Sequence, residues 1–133
     1  MKYIQFVQEE MIIEHLKQNI TKILKTFFKN SLIEVNWNYD SFPFTKPSFE
    51  VEVIKKESEG IKKCEVGGCG KLQPRVLSNI GSQYSKGWAI GFGLDRLAML
   101  YYDIPDIRIL WSAKSEVLDQ FSKLEFTDCY QYK

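Results

Sequence analysis

Histidine is almost missing from this chain, His15 being the only one in 133 residues. A Cys–His relay would have that single base to draw on, and His15 stands between Glu14 and the nearby Lys17, in a charged stretch that reads as solvated. Cysteine is sparse as well. Cys64, Cys69 and Cys129 make an odd count with no CxxC pair, which argues against a disulfide framework or a zinc site and makes a reduced compartment the default. No apolar run approaches the ~20 residues that a bilayer span needs, so a membrane is not an expected partner. Charge of one sign is lacking too: 18 Lys and Arg face 17 Asp and Glu, for a net charge of +1. That balance excludes a module that grips nucleic acid or a membrane surface by bulk charge. Neither GxxxxGK[ST] nor GxGxxG occurs, so Walker and Rossmann readings fail. Met1–Glu10 carries two glutamates and no arginine, unlike a cleavable presequence. What is present is 14% aromatic residues, a fraction that fits packed sheet or a pocket for a flat ligand.

Periodicity orders these residues into an α+β chain. Ile4, Val7, Met11, Leu16, Ile20, Ile23 and Phe27 recur at helical spacing and predict one long amphipathic helix ending near Asn30. Glu9, Glu10 and Glu14 lie early in it and Lys22, Lys25 and Lys29 late, the order that the helix dipole favours. The period then changes to two. Ile33, Val35, Trp37 and Tyr39 alternate with polar residues, as do Phe49, Val51 and Val53, and each set predicts a strand. Lys55–Lys63 is charged, contains Gly60 and reads as an exposed hairpin loop before a third strand, Lys63–Val66. Pro74–Ile80 reads as a short helix, Trp88–Phe92 as a strand, Leu94–Tyr102 as a helix and Ser115–Phe121 as a last one. The order helix, strands, then strand and helix predicts an antiparallel sheet flanked by helices.

Gly91-Phe92-Gly93-Leu94-Asp95-Arg96 is the most informative stretch. Small residues at Ala89, Gly91 and Gly93 leave one strand face bare, so that a flat ring can lie on the backbone and the Arg96 guanidinium can stack on it. The same pattern also admits a packed helix over the gaps, with Arg96 in a structural ion pair. Phe42-Pro43-Phe44 sets two rings on one side of an extended chain, as an aromatic site or as plain core. Glu65, before the glycines Gly67, Gly68 and Gly70, is either a partner for an ammonium group or a solvated strand residue. Cys69 between glycines lacks a base other than His15.

Taken together, four runs in register resemble the catalytic core of the phenylalanyl-tRNA synthetases, a family of class II aminoacyl-tRNA synthetases. They are Phe42–Glu50, Glu65–Gly70, Gly87–Met99 and Tyr102–Arg108. Phe49 and Trp111 resemble the monomeric mitochondrial form more than the bacterial α subunit. The resemblance implies the class II fold. It also implies a phenylalanine pocket in which Phe42 and Phe44 pack on the phenyl group, Thr45 and Ala89 form wall, and Glu65, Ile90 and Gly91 complete it. A small residue at Ala89 limits what fits, which screens against tyrosine. Gly93 and Arg96 match motif 3, residues 87–102, whose arginine stacks on the adenine of ATP and faces its γ-phosphate.

Departures qualify these expectations. Ile90 stands where the family has Phe and Asp95 where it has Glu. Lys46 replaces an acid that helps hold magnesium in bacterial relatives, so magnesium is expected only with ATP and no protein metal site is expected. Nothing before Phe42 resembles motif 1 or motif 2, and no anticodon-binding domain follows, so residues 1–133 read as a single partial catalytic core. Three functions fit: part of a phenylalanine-tRNA ligase not competent alone, a non-catalytic structural subunit of a mitochondrial assembly, or an amino-acid or adenylate binding module. Phenylalanine and ATP are the expected small-molecule ligands. A protein partner is expected over the surface left by the missing half, no tRNA contact is named, and the location is mitochondrial or else cytoplasmic.

Overall fold

The long N-terminal pattern becomes α1 (Lys2–Phe27), and the sheet beneath it selects which apolar line is buried. The computed structural model describes residues 2–81, 86–112 and 119. They fall into two compact units, one within Met1–Phe92 and one within Gly93–Lys133.

In the first unit the buried line is Leu16, Ile20, Leu24 and Phe28, spaced by four and at most 2% exposed. This corrects the expected stripe, because Ile23 is 49% and Met11 64% exposed. Spacings of three and four both satisfy a helical period, and only the facing sheet decides between them. Four antiparallel strands form that sheet in the order β1-β2-β3-β4. They are β1 (Leu32–Asp40), β2 (Thr45–Glu57), β3 (Gly60–Leu72) and β4 (Trp88–Phe92). A short helix, α2 (Pro74–Asn79), follows β3 and begins on the proline, whose missing N–H costs nothing at a first turn.

Register sorts the side chains. Tyr39, Phe49, Cys69 and Ile90 lie in one row across the sheet, and Trp37, Val51, Gly67 and Phe92 in the next. These rows face α1, where the Lys17 ammonium lies 4.7 Å from the Phe49 ring centre and 5.6 Å from that of Trp37. Nearer the start of α1, Glu9 pairs with Lys71 of β3, and the ammonium holds the Glu9 carboxyl below its ordinary value.

The charged stretch Lys55–Lys63 is the expected hairpin, but its loop is shorter than the sequence suggests. Strand β2 runs to Glu57 and β3 resumes at Gly60, whose φ of 141° suits glycine in the tight turn. Four of its charges pair within the sheet: Glu57 accepts from Lys55 at 2.9 Å and from Lys62 at 3.1 Å, and Lys56 pairs with Glu34 of β1. Opposite charges on adjacent strands stabilise a ladder that composition alone suggests is coil.

The second unit contains α3 (Leu94–Tyr101), with Leu97 and Leu100 buried, and a 3-10 helix, Ile107–Trp111. Asp106 caps the latter by accepting from the Arg108 amide at 2.9 Å. The Arg108 guanidinium bonds the same carboxylate and holds it down at about 2. Trp111 Nε1 donates to Asp95 at 3.0 Å, tying the 3-10 helix to the first turn of α3. The predicted helix Ser115–Phe121 lies, apart from Asp119, outside the described residues. Among the described residues no helix is long and apolar enough to cross a membrane.

The buried line of α1 makes a direct prediction. Leu16→Ala or Ile20→Ala should cost about 2–5 kcal/mol in urea unfolding, whereas Met11→Ala or Ile23→Ala should stay near 0.5 kcal/mol, roughly the surface value. Equal losses at the two pairs would show that α1 buries a different face.

Candidate functional site

Strands β3 and β4 meet glycine to glycine. Gly68 lies opposite Gly91 and Gly70 opposite Ala89, so the sheet face turned away from α1 carries almost no side chains there. Its surroundings differ from position to position. A Cβ on Gly70 would fall 2.4 Å from the Pro47 carbonyl oxygen and 2.7 Å from Thr45 Cβ, so that position is closed. On Gly68 it would fall 2.6 Å from Cζ of Phe42, whose ring lies directly over the backbone. On Gly91 it would meet nothing within 4 Å. The result is a flat peptide floor, roofed at one side and open at Gly91.

The roof is the segment before β2. The Phe42 and Phe44 rings are nearly parallel, 12° apart in plane with centroids 6.2 Å apart. Thr45 is buried, and its hydroxyl lies 2.7 Å from that of Ser48. Ser48 Oγ also donates to the Thr45 carbonyl at 3.0 Å and accepts from the Phe42 amide at 3.3 Å, closing the turn on itself. On the same face, β2 places Glu50 opposite Gly68, and Glu52 stands opposite Glu65 across a register shift. A flat apolar slot with carboxylates along one side can receive an aromatic group that carries a cation.

The predicted residues thus divide into three groups. Phe42, Phe44, Thr45, Ala89 and Gly91 are gathered around the bare face, with Glu65 farther along it and exposed. Ile90 points elsewhere: it lies opposite Cys69, in the row that faces α1. Adjacent strand residues alternate in direction, so Ala89, Ile90 and Gly91 cannot all turn to one side. Gly93 and Arg96 belong to the second unit. Gly93 is the N-cap of α3, and the Arg96 stem folds back over it, with Cδ 3.5 Å from where a Gly93 Cβ would stand.

Cys69, on the α1 side, is 2% exposed, and burial pushes its thiol up to about 11 despite the opposing pull of Lys17. It is a protonated core residue at neutral pH, not a nucleophile. His15 is exposed, and its Nδ1 accepts from Trp88 Nε1 at 3.0 Å. Among the described residues no cluster of three His, Cys, Asp or Glu side chains is arranged to hold a metal ion.

Several residues escaped the sequence reading. Ser48, Glu50, Gln73 and Arg75 all act at or beside the slot. The one available signal was Gln73-Pro74-Arg75, a helix start whose flanking side chains are free to turn toward a neighbouring loop. Lys17, Lys22 and Lys25, neighbours along α1, line an open hollow of about 560 Å³ formed by that helix.

Comparison with known proteins gives the family. Residues 4–121 match the family model described as tRNA synthetases class II core domain (F). The chain belongs to the class II tRNA synthetase core family. The mitochondrial phenylalanine–tRNA ligase of Mus musculus is 46% identical over 106 residues, covering 80% of this chain and 22% of that protein. The phenylalanine–tRNA ligase alpha subunit of Rickettsia bellii is 39% identical over 123 residues, 90% of this chain and 34% of that one. A probable mitochondrial phenylalanine–tRNA ligase of Drosophila melanogaster is also 39% identical, over 92% of this chain and 26% of its own length. The chain therefore spans between about a fifth and a third of these relatives. The sheet, antiparallel with helices, is the α+β architecture expected of this class II core.

The two facing glycines of this class II core should respond differently to a methyl group. Gly68→Ala displaces the Phe42 ring and should lose about 1–3 kcal/mol, an ordinary overpacking penalty. Gly91→Ala has open space and should be neutral or gain up to about 1 kcal/mol, because alanine is less costly than glycine in a strand. Denaturant unfolding of both variants checks this, and a Gly91→Ala loss as large as that of Gly68→Ala would mean the floor is covered.

Proposed function

We propose that the bare face under Phe42 and Phe44 is the phenylalanine-recognition surface of a phenylalanine–tRNA ligase. The observation that carries this reading is the open peptide floor at Gly91, on the strand that bears Ala89 and beside the Phe42 ring that covers Gly68 and stacks with Phe44. In this reading the phenyl group of the substrate lies on the open Gly91 backbone with its edge toward the Phe42 ring that covers Gly68. The methyl group of Ala89 sets how far it can extend, and a para-hydroxyl would have to be accommodated against that wall. Carboxylates along the same face, Glu65 among them, meet the ammonium end. Ile90, on the α1 side of the sheet, forms no wall of this site.

ATP is a substrate in this account and brings its own magnesium. Gly93 and Arg96, at the start of α3, form the ATP contact. The glycine allows close approach, and the guanidinium supplies a flat cation suited to both an adenine ring and a phosphate. The carboxylate of phenylalanine attacks the α-phosphate, pyrophosphate leaves, and phenylalanyl-adenylate forms. That step depends on positioning and on neutralising charge at the phosphate. The 133 residues contain the motif 3 run but no run resembling motif 2, whose arginine holds the α-phosphate. We therefore assign to these residues phenylalanine binding without activation on their own. Motifs 1 and 2 would come from elsewhere in the polypeptide or from a partner chain. Among the described residues the outer edge of β1 pairs with no strand, a place where such a segment could add to the sheet. We place the chain in the mitochondrion, a reading supported by the mitochondrial relatives of mouse and fruit fly.

The 133-residue chain is expected to bind L-phenylalanine in a calorimetric or NMR titration and to show no phenylalanine-dependent exchange of pyrophosphate into ATP. Exchange by the chain alone would refute the division of labour. Absence of phenylalanine binding would refute the pocket.

A further inference from the structure

We propose that Gln73 and Arg75 are positioning residues that fix the aromatic roof over the glycine floor and so set selectivity for an aromatic side chain. The inference rests on reading that face as the phenylalanine site. The roof is poorly held by burial: Phe42 is only half-buried and Phe44 is 50% exposed. It is instead held by its carbonyl groups, every one from Pro43 to Thr45 having a donor in the segment after β3. The Gln73 amide donates to the Phe44 carbonyl at 3.0 Å. Gln73 Nε2 reaches the Pro43 and Thr45 carbonyls at 3.4 Å each, and Arg75 Nη2 bonds the Pro43 carbonyl as well.

The donors come from a significant place in the chain. Gln73 directly follows β3, the strand that supplies Gly68 and Gly70, and Leu72 is itself tied to Thr45 by the ladder and to the Gly87 carbonyl at 2.9 Å. Floor and roof are therefore held by one continuous segment. Pro74 starts α2 between the two donor side chains and stiffens their separation. Loss of the side-chain donors leaves the floor intact but frees the rings to tilt. A phenyl group, which needs parallel or edge contacts at defined spacing, is affected more by this than a branched aliphatic group, which makes only undirected contact.

The test compares L-phenylalanine and L-leucine binding to the 133-residue chain by NMR titration, using wild type, Arg75→Met, Arg75→Lys and the double variant Gln73→Leu/Arg75→Met. For the double variant, phenylalanine affinity should fall roughly 10-fold, as expected for two side-chain anchors of ordinary strength, while leucine affinity shifts less than about 2-fold. Arg75→Met should show part of that loss and Arg75→Lys, which keeps a donor, should recover most of it. The proposal is overturned if the double variant binds phenylalanine as wild type does, or loses both amino acids in equal proportion, as a general loss of structure would cause. A wild-type chain that binds leucine and phenylalanine equally also overturns it. A wild-type chain that binds neither overturns the pocket reading, and this one with it.

Discussion

Where two strands meet glycine to glycine, the sheet has nothing to pack with on that side. Gly68 opposite Gly91 imposes this on β3 and β4, and most of the first unit follows from it. Apolar burial must then come from the opposite face, where α1 lays Leu16, Ile20, Leu24 and Phe28 over Phe49, Val51, Val53 and Cys69. A fully buried aliphatic or aromatic side chain contributes on the order of 1.5–3 kcal/mol, so one dense layer can hold a sheet whose other side is left nearly bare. The bare face is thus compatible with stability only because stability is concentrated elsewhere.

The aromatic roof illustrates the same separation. Phe42 and Phe44 cannot be fixed by sinking into a core, since a core there would fill the slot. Hydrogen bonds to their backbone hold them instead, from Ser48 on one side and from Gln73 and Arg75 on the other. Such bonds are directional and short in reach, which suits the placing of rings at a spacing and leaves their faces accessible. The charged hairpin Lys55–Lys62 solves a related problem at the far end of the sheet, where paired charges replace apolar contact.

What could be read in the sequence was whatever has a local cause. The bounds of β4 follow from alternating residues and those of α2 from Pro74 at its first position, and both elements match their expected positions to within a residue. Residues that touch only through the fold were harder. The loop of the Lys55–Lys63 hairpin looked longer than it is because its charges pair across the turn and with Glu34 on the neighbouring strand. Leu24 and Phe28 replaced Ile23 and Phe27 as the helix's buried side because the sheet, and not the period, chooses the line. Phe42, Phe44, Thr45, Ala89 and Gly91 were named from a resemblance and converge in space, whereas Ile90, taken from the same run, follows the alternation of the strand to the other face. The carbonyl clamp had no signal beyond a proline flanked by two donors.

The account stands on one claim, that the side of the sheet bearing Gly68 and Gly91 receives the amino acid while the side bearing Cys69 and Ile90 is core. Amide chemical shifts of the 133-residue chain, followed by NMR as L-phenylalanine is added, test it most directly. The account predicts saturable shifts centred on Phe42, Phe44, Gly68, Ala89 and Gly91, with Leu16, Ile20 and Leu24 on α1 unmoved. No saturable shift, or shifts centred on the α1 side around Cys69 and Lys17, would contradict it.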